Sequence, residues 1–200
     1  MTSPYALAVA SWRREVHALY AEVRRAGSPR AGHELWVAGR SELFASHPAS
    51  PRGDGQRLRH APYDPAFRFT VPIGAAPAER LEAATATDGV VPFERIGRVE
   101  LPGLGGLDVW WLDSYGGGVF LPLRDGTAGA LTYGAGRYVL DTVKGADLGR
   151  DGDDWVVDLN FAYHPSCVYD PRWSCPLAPP GNRFAAPVPV GELLPEGYQG

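Results

Sequence analysis

From Phe67 onward, short runs of alternating apolar and polar residues are cut by glycine-rich turns at roughly ten-residue spacing. That rhythm is the signature of an antiparallel meander. Phe67, Phe69 and Val71 alternate with Arg68 and Thr70, and further strand-like runs fall at residues 81–87, 90–101, 107–112, 119–123, 137–143 and 155–159. Between them lie turn signals such as Asp88-Gly89, Leu104-Gly105-Gly106, Asp125-Gly126 and Gly134-Ala135-Gly136. Val188 and Val190 sit among prolines, which cannot donate to a ladder, so they are expected at most as a short edge strand. A single sheet of seven or eight strands tends to curl or split. The expectation is a mainly β (α+β) protein, an antiparallel barrel or sandwich.

Upstream of this body the period is different. Ser3-Pro4 is a helix-opening pair, and Tyr5, Val9, Trp12, Val16, Leu19, Tyr20 and Val23 recur at steps of three and four. They predict an amphipathic N-terminal helix over residues 4–26, ended by Gly27. Residues 31–65 have poor periodicity and read as an irregular strap. It holds a short helix within residues 33–44 and a mobile centre near Gly53-Asp54-Gly55. The β body spans residues 66–160, and a proline-rich loop with the C-terminal segment spans 161–200. Two hundred residues fit one domain.

Composition excludes some partners. The formal net charge of −4 provides no basic face for nucleic acid. No apolar run approaches the ~18 residues that a membrane span needs. No basic-then-apolar leader opens the chain, so the default location is cytoplasmic. The apolar stripe of the first helix needs a cover, either the body or a second copy in a homodimer. Nine tyrosines and six tryptophans argue for order despite 25 glycines and 19 prolines.

The chemistry-bearing residues concentrate in residues 154–192. Cys167 and Cys175 are compatible with structural thiols, with a reactive or ligating pair, or with a disulfide contributing roughly 2.5 kcal/mol. Prolines at 165, 171 and 176 can fold the segment back on itself. His164 and the two cysteines are one ligand short of a structural zinc site, and neither a CxxC nor an HExxH motif occurs; no metal or cofactor is expected. A polar set at strand ends and in the following loops forms the candidate site. Tyr133, Asp158 and His164 are the candidate catalytic groups, and His164 has the unperturbed pKa best suited to proton transfer near neutrality. Arg137, Asn160, Tyr163, Asn182, Arg183 and Trp173 are the candidate ligand-binding groups. Either Arg137 or Arg183 could hold a carboxylate or phosphate. Trp110, Trp111, Tyr115, Trp155, Tyr169 and Trp173 could form an aromatic wall. The competing reading makes this set a buried scaffold, with Arg137 bonding carbonyls of the proline-rich loop.

Several strings are specific: FASHPAS (residues 44–50), PYDPAFRF (62–69), YGGGVFLPLRDGTAG (115–129), TYGAGRY (132–138) and DLNFAYHPSCVYDPRWSCPLAPPGNR (158–183). On these motifs the chain resembles the bacterial domain of unknown function 1684 family from about Trp12 onward. The resemblance implies a fold and carries no activity. The chain departs from the family pattern at His164, where relatives read Asn. It departs again at Gly181, where they read Glu, and at Leu131, where an acidic residue is usual. If those carboxylates do acid–base work in the family, this member lacks them. The expected function is a metal-independent enzyme acting on a small organic molecule. The alternative is a ligand-binding or protein-interaction domain without chemistry.

Overall fold

The computed structural model describes residues 3–52, 57–85, 89–170, 173, 175–196 and 198. The centre at Gly53-Asp54-Gly55, Asp88 of the Asp88-Gly89 turn, residues 86–87 of the expected strand 81–87, and Pro171 lie outside the described residues. Helix α1 (Ser3–Arg25) has the extent that its apolar spacing predicts. A three-residue connection leads to α2 (Pro29–Ser46), capped by the Ser28 side chain, which accepts the Ala31 N–H at 3.2 Å.

The short helix expected within residues 33–44 is present and longer, an 18-residue helix that takes up the first part of the strap. Its inward face carries His33, Trp36, Arg40, Leu43 and Phe44, at steps of three and four. The arginine sits where an apolar residue would complete the stripe, so the period is masked in a hydrophobicity count.

Among the described residues ten strands follow, and the pairs between named strands are all antiparallel. They are β1 (Arg59–His60), β2 (Arg68–Val71), β3 (Arg80–Thr85), β4 (Gly89–Leu101), β5 (Gly105–Leu112), β6 (Val119–Leu123), β7 (Arg137–Asp141), β8 (Arg150–Asp151), β9 (Asp154–Asp158) and β10 (Glu192–Leu193). Strands β3-β4-β5-β6-β7 form a five-stranded meander, β2-β9-β8 a second sheet and β1-β10 a two-stranded ribbon. The meander does not close into a barrel: among the described strands β3 pairs with β4 alone, and β7 with β6 alone. The second sheet packs across it, giving a sandwich-like, mainly β α+β fold.

The main core lies between these layers. Val99, Leu107, Val109, Leu121 and Val139 of the meander meet Val157 of β9, with Phe67, Phe69 and Val71 at the margin. Strands β6 and β7 are buried along their whole length. Helices α1 and α2 cover a second cluster, in which Tyr20, Val23 and Trp36 pack on Val156 and Phe161. The stripe of α1 thus finds at least part of its cover within the chain.

Val188 and Val190 enter that core, but they do not form the expected edge strand. The Arg137 guanidinium takes both their carbonyls, and the Val188 N–H goes to Asp125 Oδ1, at 3.0 Å. The last strand begins at Glu192 instead.

Candidate functional site

Two charged side chains each follow a glycine held at positive φ, a conformation that favours glycine. Gly136 (φ 107°) precedes Arg137, and Gly191 (φ 79°) precedes Glu192. A Cβ on Gly191 would lie 2.6 Å from the Ala162 carbonyl oxygen, so the close approach that seats Glu192 needs glycine in its own right.

Glu192 is fully buried. Its Oε2 accepts from Arg40 Nη2 at 2.8 Å, Arg40 Nε at 3.2 Å and the His164 backbone N–H at 2.9 Å. Its Oε1 accepts from the Tyr169 hydroxyl. Arg40 lies over the rings of Phe44 and Tyr163, at 4.4 and 4.8 Å from their centroids. Burial alone would raise the Glu192 carboxyl. Arg40, helped by His164, His60 and Tyr169, instead holds it below its ordinary range.

His164 is buried beside this ion pair, and burial pushes its imidazole down to about 4. Its Nε2 accepts the Tyr133 N–H at 3.2 Å, which places the ring proton on Nδ1. Among the described residues Nδ1 has no partner, nor does Nε2 of His60. Burial likewise pushes His60 down to about 4.

The remaining predicted residues divide among separate networks. Arg137 Nη2 pairs with Asp125 Oδ2 at 2.9 Å and binds the Val188 carbonyl at 2.8 Å; Nη1 binds the carbonyls of Val190 and Glu192. Asp158 is fully buried and accepts from Arg68 Nη1 at 3.1 Å and from Asn160 Nδ2 at 2.8 Å. Asn160 also exchanges two 2.8 Å bonds with the Asp64 backbone. Asn182 accepts from Trp110 Nε1 and donates to the carbonyls of Asp108 and Pro122.

Arg183 is exposed, and its backbone bridges Arg124. Trp173 packs near Tyr5, with ring centroids 6.4 Å apart. The Tyr163 hydroxyl reaches Asp141 Oδ2 at 3.5 Å. Of the nine predicted residues, Arg137, His164, Tyr163 and Tyr133 approach one centre, around Glu192 and Arg40. Asp158, Asn160, Asn182, Arg183 and Trp173 do not.

The aromatic wall does not assemble either. Trp110 is in the core, Trp111 is partly exposed, and Tyr115 is fully exposed at a turn.

Sequence reasoning missed Arg40, His60 and Glu192. Glu192 had a signal: it is the one charged residue in PVPVGELLP, residues 187–195. A single carboxylate in so apolar a stretch must find a cation.

The cysteines form a local pair. Both are free and partly exposed. The two thiols interact, which lowers Cys175 and raises Cys167, and the Tyr133 side chain acts on Cys167 as well. No disulfide joins them.

Concavities open to a ligand include one of about 210 Å³ at the α1–α2 turn and a larger one of about 360 Å³ on the outer face of the meander. Its apolar walls include Val91, Phe93, Leu112 and Phe120, and Arg13, Asp141 and Lys144 contribute charge. Lys144 Nζ pairs with Asp141 Oδ2 at 3.0 Å. None of the nine predicted residues lines this groove.

The fold and these motifs define a family. The model for Protein of unknown function (DUF1684) matches residues 56–193, and the chain belongs to that family. Among solved structures, the chain is similar to the solution NMR structure of an uncharacterised protein of Haloarcula marismortui. The identity is 26% and the TM-score 0.55, covering 80% of this chain and 91% of that one. No curated protein matches the chain. No described helix is long and apolar enough to cross a membrane.

Proposed function

We propose that this protein is a ligand-binding member of its family, which takes a small amphipathic organic anion in the groove on the meander. On this reading the buried networks around Arg137, Asp158, Asn182 and Glu192 are the scaffold that holds the groove's sheet and loops. The observation that carries it is the groove's composition: an aromatic and aliphatic bed beside two cations and one carboxylate. Asp141 neutralises Lys144, and Arg13 makes no ion pair among the described residues. One positive charge therefore remains to attract an anionic head, while the bed removes an apolar tail from water at about 0.8 kcal/mol per methylene.

The reading favours binding over chemistry. Two of the candidate acid–base groups have lone pairs committed elsewhere: Asp158 accepts from Arg68 and Asn160, and His164 Nε2 accepts from the Tyr133 amide. None of them reaches the groove.

The test is displacement of 1-anilinonaphthalene-8-sulfonate by decanoate and, separately, by decanol. Decanoate is expected to compete at least tenfold better than decanol, a difference of about 1.4 kcal/mol. That preference should vanish in an Arg13→Ala/Lys144→Ala variant. Absence of competition by decanoate up to its solubility, or equal competition by the alcohol, would overturn the assignment.

A further inference from the structure

Strand β3 is an open edge of the meander: among the described strands it pairs with β4 alone. We propose that this edge is a self-association surface, on which β3 of a second copy adds antiparallel and extends the sheet across a twofold axis at Leu81.

The free backbone groups follow from the register. Arg80 stands opposite Glu94, Leu81 opposite Phe93, Glu82 opposite Pro92 and Ala83 opposite Val91, and the Arg95 N–H donates to the Glu79 carbonyl. In an antiparallel ladder, pairs that exchange backbone bonds alternate with pairs that do not. Glu79, Leu81 and Ala83 therefore direct their backbone groups to β4. Pro92, which has no N–H, falls on an unbonded pair, as it must. Arg80, Glu82 and Ala84 turn their N–H and C=O groups outward, and no described residue bonds them. Such a row is a template for a further strand.

The side chains choose the partner and the register. Glu82 is exposed and makes no ion pair among the described residues. Arg80, on the same face, is also exposed; its Nη1 reaches Glu94 at 3.4 Å and its Nη2 reaches Asp113 at 3.3 Å. The edge thus displays a cation and an unpaired anion at successive outward positions. Antiparallel pairing about Leu81 sets Arg80 opposite the partner's Glu82, and Glu82 opposite the partner's Arg80. Pairing about Arg80 or Glu82 would set like charges directly opposite, which is destabilising. Pairing about Ala83 would set Glu82 against the partner's Ala84 and leave its charge unmet. The sequence of the strand is therefore complementary to itself in one register, and a twofold axis closes the contact.

The other face agrees with this register. Leu81 meets the partner's Leu81 at an unbonded pair, the position where side chains come closest. Leu81 and Ala83 are partly buried against the cluster of Phe93 and Phe120. The apolar bed of the meander then runs from one copy into the next, and the two grooves open on one face of a continuous sheet with five strands from each copy. The edge is short, so the interface falls in the small, transient class.

Sedimentation velocity over a concentration series reaching about 1 mM is expected to show a reversible monomer–dimer equilibrium. Glu82→Arg and Arg80→Glu should each weaken the dimer by about tenfold or more, since each sets like charges opposite one another. An equimolar mixture of these two variants should associate as the wild-type protein does, because every charge on the edge then meets its opposite. Glu82→Arg breaks no ion pair within the chain, so its fold is not at risk. The register has a readout without a charge change. In a Cys167→Ser/Cys175→Ser background, Leu81→Cys lies on the axis and should form an intermolecular disulfide about tenfold faster than Ala83→Cys, whose two copies lie too far apart.

A protein that stays monomeric throughout the series leaves this edge to some other partner and overturns the proposal. So do a dimer indifferent to both charge reversals, a mixture that associates no better than its components, and equal cross-linking at the two cysteine positions. The proposal rests on the strand edge and not on groove binding, so its failure and failure of decanoate competition are distinguishable.

Discussion

Arg40 of α2 and Glu192 of β10 are 152 residues apart in sequence and meet as an ion pair sealed from solvent, Nη2 2.8 Å from Oε2. The carboxylate has no exposure and the guanidinium little. Breaking such a pair from one side leaves a buried charge without its partner, at a cost of about 3–5 kcal/mol. Arg40→Met is expected to destabilise the protein by that order. Combining it with Glu192→Gln should cost less than the sum of the two single changes, because the orphaned charge is gone. Urea unfolding of the three variants measures this.

The same centre governs acid stability. His164 is held neutral by burial, at about 4, in the field of Glu192, Arg137, Arg40 and His60. An unfolded imidazole titrates near 6.5. Between those values the unfolded state binds the extra proton, so stability rises with pH across roughly 4 to 6.5 and is lost as pH falls through that window. His60 contributes with the same sign. The expected slope is about 1.4 kcal/mol per pH unit for each such imidazole. His164→Asn, which removes the imidazole, should remove one share of it. Thermal or urea unfolding at a series of pH values checks the slope.

Gly181 carries a different constraint. A Cβ there would lie 1.9 Å from Asp108 Oδ2. That carboxylate is not free to step aside: Arg98 Nη1 holds Oδ1 at 2.7 Å and Arg95 Nη1 holds Oδ2 at 3.1 Å. Gly181→Ala is therefore expected to destabilise by about 1–3 kcal/mol, the usual cost of overpacking. Urea unfolding of the wild-type protein and Gly181→Ala measures the loss.

Cys175 should alkylate with an unusual pH profile. Its thiol is lowered to about 6, chiefly by the Cys167 hydrogen bond and further by Lys144. The rate of reaction with iodoacetamide is expected to reach half its plateau near pH 6. Removing a stabiliser of the thiolate raises the pKa, so the midpoint should move up in Cys167→Ala and, by less, in Lys144→Ala.

Much of the architecture is local and so was legible. Residues at steps of three and four marked α1, and alternation with Gly and Asp turns marked the meander. The hidden part depends on contacts between distant segments. Arg40 occupies an inward helical position because a carboxylate on the last strand meets it there, and no window of neighbouring residues contains both. Val188 and Val190 have strand-like side chains, but Arg137 and Asp125 claim their backbone groups. The polar set stands out in the sequence. Its partition into separate networks could not be read, since Asp158 with Arg68, Asn182 with Trp110, and Arg137 with Asp125 are joined only by the folded sheets.

The β1–β10 ribbon gives the family match an unexpected boundary. Residues 56–193 begin just before one strand of that ribbon and end on the other, so the shared segment closes on itself. Yet the counter-charge for Glu192 comes from residue 40, upstream of the match. Similarity and charge neutrality thus draw different borders on one chain. A fragment starting at residue 56 would retain β1 to β10 while losing Arg40, the guanidinium that pairs with the buried Glu192.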